Sequence, residues 1–405
     1  MDAGELRRRL GISPQTMMRM VRDAGPAIVR IGRARATRYG LRQAWPNLQT
    51  ANFPVFRVDR NGAATAAGEL ITLAARQAFW ATAGVVSDGL PVELADARPA
   101  GFLGRHFAAT HGDLRLPLRL EDWSDHHILL AMTRRGEDLP GNLIVGAESF
   151  ARWQVLENRV GTQGDYPAIA EATIAGHPPL SSAGGERPKF GVMVNGRHVL
   201  VKFAARGGPD DRAARRWCDL LVLEALALNI VSSYGISAAT THLVEASSHV
   251  FLESERFDRA GARGRVAVQS LAAVHNDLAD SWAQAAVQLG ITGRLAEDDA
   301  RRLRWLDAFG ALIANTDRHH YNVVFFSEGP RLRLAPAFDQ VSMFYAPAAD
   351  GQVPVRVFAR PHPTAETLDV WEEARAAAQE FWQRASDDAR LSDDMRAIAA
   401  DNVRA

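Results

Sequence analysis

The sequence predicts an α+β fold preceded by a small, arginine-rich helical segment. Apolar helices predicted at 212–229 and 296–313 alternate with short runs of β-branched and aromatic residues, which read as strands. Apolar residues make up 47% of the 405 residues, enough to form the cores of two or three domains. Residues 1–43 contain ten arginines and only three acids, whereas the whole chain has no net charge. We therefore expect the two ends of the chain to meet different partners.

Composition excludes several classes of protein. The single cysteine, Cys218, lies in an apolar helix, so it excludes an intrachain disulfide and a zinc ribbon and fits a reducing cytoplasm. Residues 1–5 contain no apolar leader segment. The most apolar run, 220–231, is interrupted by Glu224 and is too short to span a bilayer. We expect a cytoplasmic protein with no membrane partner.

Residues 1–48 predict a winged helix-turn-helix domain. Asp2 is suited to cap a first helix that ends near Gly11, and Ser13-Pro14 is a strong start for a second helix. The segment 28–39 has apolar residues on both sides of a glycine and arginine tip, as in a β-wing.

This segment predicts DNA binding. The start of a second helix meets base edges in such domains, and arginines on a wing contact phosphates or the minor groove. The candidate residues are Gln15, Thr16, Arg19, Arg33, Arg35 and Arg38. The alternative is a helical module for protein contacts whose arginines form a solvated face. Charge and element order together favour nucleic acid.

Residues 49–178 predict a mixed α+β domain. Strands are expected at 53–58, 63–73 and 139–145, with helices from 100 and at 124–133. His126 and His127 are adjacent on a helix and point in different directions, so the pair does not predict a metal site.

The next segment, from residue 179, contains two charged residues within apolar elements. A small-residue loop at 180–189 is followed by a hairpin at 192–203, whose second strand ends in Lys202. A lysine there can hold phosphates, or it can extend from a sheet edge into water. Glu224 on the apolar helix 212–229 needs a partner if it is buried. Pairing with Lys202 is one hypothesis, and exposure to solvent is the other.

The loop at 315–322 has the spacing of a phosphoryl-transfer site. Asp317 and Asn322 are five residues apart, and Asp339 follows one predicted hairpin later. Protein kinases use an Asp at this spacing as catalytic base, and the Asn and a later Asp as Mg²⁺ ligands. A polar loop that caps its own turns is the alternative for the Asp and Asn alone, and the downstream Asp339 disfavours it.

Five stretches together resemble the HipA family, bacterial serine/threonine kinases that are toxins of type II toxin–antitoxin systems. These are Ser181–Lys189, Lys202, Glu255–Arg259, Asn315–Asn322 and Ala337–Asp339. The resemblance implies a bilobal, protein-kinase-like domain at 179–405, with a Gly-rich loop and hinge up to about residue 260 and a helical lobe after it. The N-terminal helix-turn-helix resembles the YjjJ-type branch of that family.

The resemblance also implies roles for individual residues. Asp317 is the implied catalytic base, Asn322 and Asp339 are Mg²⁺ ligands, and Lys202 and His319 contact ATP phosphates. Autophosphorylation is implied at Ser181 or Ser182. The remaining nucleotide contacts implied are Ser182, Ala183, Gly184, Gly185, Glu255, Phe257 and Asp258.

The function expected is an ATP- and Mg²⁺-dependent protein serine/threonine kinase with a fused DNA-binding domain. One alternative is a transcriptional regulator whose kinase fold only binds nucleotide, and another is a small-molecule kinase that uses the same site. Typical family members rely on a separate DNA-binding antitoxin. Because this chain has its own helix-turn-helix pattern, an antitoxin partner is possible but not required.

Overall fold

Helices and short strands alternate along the chain, as expected for an α+β fold. The computed structural model describes residues 2–175, 187–208, 210–275, 277–329 and 331–404. Five candidate residues of the small-residue loop and the side chain of one arginine lie outside the described residues. They are Ser181, Ser182, Ala183, Gly184, Gly185 and Arg35.

The helices are α1 (Ala3–Leu10), α2 (Pro14–Asp23), α3 (Val92–Ala95), α4 (Gly101–Thr110), α5 (Asp125–Arg135), α6 (Ala147–Gln154), α7 (Tyr166–Ala175), α8 (Arg212–Ser233), α9 (Leu271–Val274), α10 (Trp282–Ile291), α11 (Glu297–Leu312), α12 (Trp371–Asp387) and α13 (Asp393–Arg404). The strands are β1 (Ile28–Ile31), β2 (Arg38–Leu41), β3 (Asn52–Val58), β4 (Ala64–Thr72), β5 (Gln77–Trp80), β6 (Val85–Asp88), β7 (Leu143–Val145), β8 (Lys189–Val194), β9 (Arg197–Ala205), β10 (Thr241–Glu245), β11 (His249–Glu255), β12 (Arg259–Ala260), β13 (Gly264–Arg265), β14 (Val268–Ser270), β15 (Val324–Phe326) and β16 (Arg333–Leu334).

The chain divides into two compact units. The first comprises Met1–Asp59, Ala63–Pro99 and His111–Leu156. The second comprises Arg60–Gly62, Ala100–Thr110 and Glu157–Ala405. None of the described helices is long and apolar enough to cross a membrane.

The first two helices begin where their capping residues predict. The Asp2 carboxylate accepts from the Glu5 amide at 2.8 Å, and the Ser13 hydroxyl accepts from the Thr16 amide at 3.1 Å. Each cap satisfies an N–H group that the helix itself leaves unpaired. Gly11 ends α1 with φ of +64°, a conformation that costs glycine little.

The β1–β2 hairpin packs on the five-stranded sheet of the first unit, whose order is β6-β5-β4-β3-β7. Val29 and Ile31 of β1 share a buried apolar cluster with Ile71 and Leu73. The segment 44–52 that follows the hairpin is attached as well, because the buried Trp45 indole donates to the Leu73 carbonyl at 3.1 Å. The hairpin is therefore fixed to the sheet by apolar burial and hydrogen bonds.

In the second unit, a four-stranded sheet of order β10-β11-β9-β8 has a helix on each face. Side chains alternate along a strand, so neighbours on β9 point to opposite faces. Val201 and Phe203 pack in one apolar cluster with Tyr166 of α7, whereas Ala204 packs in another with Leu221 of α8. Lys202 is therefore directed toward the α8 side.

The largest core joins α8 to the helices and small sheet that follow it. That sheet has the order β14-β15-β16. Within the region expected to form a helical lobe after about residue 260, Val268–Ser270 is instead a strand paired with β15. Three residues of edge strand carry too short a pattern to be separated from a following helix. The loop 313–323 is held between the buried α11 and β15.

Candidate active site

Three charged side chains meet beneath the four-stranded sheet. The Lys202 ammonium donates to Glu224 Oε1 at 2.6 Å and also to Asp339 Oδ1. Lys202 lies on β9, Glu224 on α8, and Asp339 in the loop after β16. The pairing of Lys202 with Glu224, one of the two sequence hypotheses, is confirmed. Both side chains are buried, and burial of such charges is tolerated because they are paired.

The environment shifts the pKa of each of the three groups. Burial raises the pKa of Glu224 more than the nearby Lys202 lowers it. Burial also raises the pKa of Asp339, but attraction to Lys202 and Lys189 outweighs it and brings the pKa to about 2. For Lys202, burial lowers the pKa, and Asp339 and Glu224 overcome this and raise it. Asp339 and Lys202 are therefore both charged at neutral pH.

Two amide side chains hold the loop after α11, and one of them ties it to Asp339. The Asn315 amide nitrogen donates to the Asp339 carbonyl at 3.4 Å, and its oxygen accepts from the Asp317 amide at 3.0 Å. The Asn322 amide nitrogen donates to the Asp317 carbonyl at 2.9 Å. Ala314 and Asp339 have φ of +59° and +55°, a left-handed conformation that non-glycine residues rarely adopt. These contacts bring Asp317, Asn322 and Asp339 into one connected site.

The side chains of Asp317 and His319 in this loop reach solvent. The side chains of Asp317 and His319 are 55% and 50% exposed, and Asp317 Oδ1 lies 3.9 Å from His319 Nε2. A carboxylate that is mounted on a fixed backbone and open to solvent can meet an incoming hydroxyl group.

The loop has a buried support that sequence reasoning missed. Arg318 donates from Nε to Asp307 Oδ1 at 3.0 Å and from Nη1 to the Asn315 carbonyl. Asp307 Oδ2 accepts from the amide of Ala283, near the start of α10, at 3.2 Å. The sequence did contain one signal for this support. Asp307 lies between apolar residues of a buried helix, and a carboxylate in such a place needs a partner.

Gly310 makes room for this support. A Cβ added there would lie 2.8 Å from Arg318 Cδ, so a larger residue at position 310 would displace the arginine.

The candidate hinge residues at the end of β11 and just after it have different neighbours. The Phe257 ring lies 5.9 Å from the ring of Phe338, which directly precedes Asp339. Asp258 is instead held by arginines, with Arg256 at 3.0 Å and Arg259 at 2.7 Å. Glu255 is partly exposed, and its carboxylate lies 3.6 Å from Arg197 Nη1. Phe257 thus borders the Asp339 loop, whereas the Asp258 carboxylate braces the hinge.

The DNA-binding candidates lie on the first unit. Gln15 and Arg19 are exposed on α2, and Thr16 is half-buried with its hydroxyl 3.0 Å from that of Ser13. Arg33 and Arg38 are exposed at the turn and second strand of the β1–β2 hairpin.

The donor atoms at the site fit a Mg²⁺ ion. The amide nitrogen of Asn322 is used in the loop, so its carbonyl oxygen is the atom of that amide suited to a cation. Asp339 is ionised, as a metal ligand must be. Among the described residues, no three His, Cys, Asp or Glu side chains cluster as a metal cage. A Mg²⁺ ion that acts with nucleotide needs only one or two protein ligands, because phosphates and water supply the rest.

Comparisons with known proteins agree along the length of the chain. Residues 49–154 match the family described as the YjjJ-like toxin middle domain, and residues 181–405 match the HipA-like C-terminal domain. The chain is 35% identical to Toxin YjjJ of Escherichia coli (strain K12), over 98% of this chain and 93% of that protein.

The fold is also found among solved structures. A chain of the Shewanella oneidensis MR-1 complex of HipA, HipB and operator DNA matches with a TM-score of 0.54 and 15% identity. The match covers 86% of this chain and 95% of the other. Such low identity informs on the fold alone, while the curated relative and the two domain matches establish kinship. The chain belongs to the HipA-like toxin family, in its YjjJ-like branch.

Proposed function

We propose that the chain is an ATP- and Mg²⁺-dependent kinase that transfers the γ-phosphate of ATP to a serine or threonine hydroxyl of a protein. The ion pairs that join Lys202 to Glu224 and Asp339 carry this proposal. A buried cation held between two acids, next to a loop with an exposed carboxylate, is what phosphoryl transfer requires: charge neutralisation and a positioned base.

Each residue has a defined task in this reaction. Lys202, oriented by Glu224, holds the ATP phosphates, and His319 adds a second contact. Asp339 and Asn322 hold Mg²⁺, which neutralises phosphate charge when bound. Asp317 accepts the proton of the substrate hydroxyl. The hydroxyl oxygen bonds to the γ-phosphorus, and the bond between the γ-phosphorus and the ADP oxygen breaks. The loop around Asp317 is held by Asn315 and Asn322, so the base is preorganised.

The loop at 181–185 is proposed to cover the nucleotide. Backbone N–H groups of Ser182, Ala183, Gly184 and Gly185 are suited to phosphate oxygens, because small residues allow close approach. Ser181 or Ser182 is the proposed site of autophosphorylation. Phe257, with Glu255, borders the nucleotide base in this proposal, supported by the contact of Phe257 with Phe338.

The N-terminal elements are proposed to bind DNA. Gln15, Thr16 and Arg19 are candidates for base edges, and exposed arginines of the hairpin for phosphates. The similar Shewanella HipA was solved with HipB and operator DNA. This chain carries two helices and a hairpin of its own, so it can contact DNA with or without an antitoxin.

The experiment that tests the kinase is incubation with labelled ATP and Mg²⁺, followed by mapping of the label. We expect label on Ser181 or Ser182, and none in Asp317→Ala, because the base is lost. Asp401→Ala removes an exposed carboxylate on α13 and serves as the matched control.

Two other results would contradict the proposal. Nucleotide binding without any transfer would indicate a regulator with an inactive kinase fold. Transfer of label to a metabolite and not to protein would indicate a small-molecule kinase.

A further inference from the structure

Two separate elements deliver the acids that hold Lys202. Glu224 lies on α8, and Asp339 lies on a loop that continues to Tyr345. The Lys202 ion pairs form only if both elements are fixed with respect to β9. A rotation of α8, or a shift of the loop, would leave a buried carboxylate without its cation.

The first element is attached to the C-terminal helices. Asp219, five residues before Glu224 on α8, is 3% exposed. Its carboxylate accepts from the Ser392 amide at 2.8 Å and from the Ser392 hydroxyl at 2.6 Å. Ser392 directly precedes α13. A buried carboxylate with two short hydrogen bonds from one residue is a directional attachment, unlike the apolar contacts around it.

The second element is attached to the same C-terminal helices. The Asn402 amide nitrogen on α13 donates to the Tyr345 hydroxyl at 2.8 Å, and both residues are buried. Arg216 of α8 donates to the Tyr345 carbonyl at 3.1 Å, which connects the two elements directly. Arg216 Nε also lies 3.8 Å from Asp219 Oδ2. The network thus runs from α13 to both elements that carry the acids of the site.

We propose that Ser392 and Asn402 are positioning residues for the Lys202 ion pairs, Ser392 through Asp219 and Asn402 through Tyr345. We call these four residues the C-terminal clamp. The clamp rests on the proposed function, because its effect on catalysis presumes that Lys202 holds phosphates. Neither Ser392 nor Asn402 touches the reacting groups.

The test compares Ser392→Ala, Ser392→Thr and Asn402→Leu with the wild-type full chain. We expect kcat at saturating ATP to fall about tenfold in Ser392→Ala and Asn402→Leu, each measured well below its melting temperature. Ser392→Thr keeps the hydroxyl and should restore most of the rate. Ser386→Ala is the matched control, because its hydroxyl bonds only to neighbouring groups of α12, such as the Gln383 carbonyl at 2.7 Å.

A second measurement does not depend on catalysis. Hydrogen exchange should become faster in α8 around Glu224 in Ser392→Ala, and in the segment 339–345 in Asn402→Leu, while α10 is unchanged. A lower melting temperature with unchanged kcat and unchanged exchange would overturn the clamp, because the contacts would then only stabilise the fold. If the wild-type chain transfers no phosphate, the proposed function has failed, and exchange around Glu224 still decides the clamp.

Discussion

Charged side chains are arranged in opposite ways in the N-terminal segment and around Lys202. Arg19, Arg33 and Arg38 are exposed and of one sign. Lys202 and Glu224 are buried and paired with each other. Exposed charges of one sign gain little from their own chain and attract an external polyanion. Buried charges must be paired within the chain, so their arrangement is determined by the fold and not by an external partner.

This difference leads to separable effects of substitution. Changes around Lys202 should act on both stability and catalysis, whereas changes in the arginines should act on DNA affinity and leave both unaffected.

The largest effect is expected for Lys202→Met. The substitution leaves Glu224 and Asp339 without their cation. We therefore expect the free energy of unfolding to fall by about 3–5 kcal/mol and phosphoryl transfer to be lost. Urea unfolding and a labelled-ATP assay measure the two effects. Lys202→Met combined with Glu224→Met should recover part of the stability but no activity, because it removes Glu224, the more deeply buried of the two unpaired carboxylates, and leaves the partly exposed Asp339.

Equal stability in the single and double variants would contradict this explanation. It would mean that Glu224 is protonated or hydrated once Lys202 is removed, and that the ion pair contributes to catalysis alone.

A smaller effect is expected for Asp307→Asn. The amide keeps the size of the side chain but replaces a charge-assisted bond from Arg318 with a weaker one. We expect kcat to fall about tenfold, with little change in the KM for ATP, because the loop that carries Asp317 is less well fixed. Steady-state kinetics measure both values.

Asp298→Asn, an exposed acid in the first turn of α11, is the control for Asp307. A loss in both variants, or a change in KM alone, would show that Asp307 does not act through the Asp317 loop.

Local structure and the spacing of the site residues could be predicted from the sequence. The buried side chains that hold those residues in place could not. Caps at Asp2 and Ser13 correctly predicted where two helices begin, since capping depends on residues three apart. Glu224 was predicted to need a partner if buried, and of the two hypotheses, pairing with Lys202 and exposure to solvent, the structure confirms the pairing.

Asp307 and Asp219 were missed for a physical reason. Arg318 is 11 residues from Asp307, and Ser392 is 173 residues from Asp219. Arg318 lies beyond the end of α11 and Ser392 lies just before α13, so no helical or strand pattern links them to Asp307 and Asp219, and only the folded chain brings these groups together. Contacts that depend on tertiary packing leave little trace in a single sequence.

The smallest effect per residue is expected in the N-terminal hairpin. Replacing Arg33, Arg35 and Arg38 with alanine should weaken DNA binding at all sequences. Each phosphate contact contributes about 0.9 to the slope of log affinity against log salt, so the slope should fall by roughly 3. Fluorescence anisotropy with duplex DNA at several salt concentrations measures it. Stability and phosphoryl transfer should not change.

The matched control removes three exposed or partly exposed arginines elsewhere, Arg375, Arg396 and Arg404, each of which pairs with an acid on its own helix. Both triple variants lower the net charge equally, so a difference in slope reports local phosphate contact and not the overall field. If the two slopes fall by the same amount, the hairpin does not contact phosphates. The exposed arginines and the Lys202 site would then differ in burial alone, and the arginines would have no DNA partner to distinguish them.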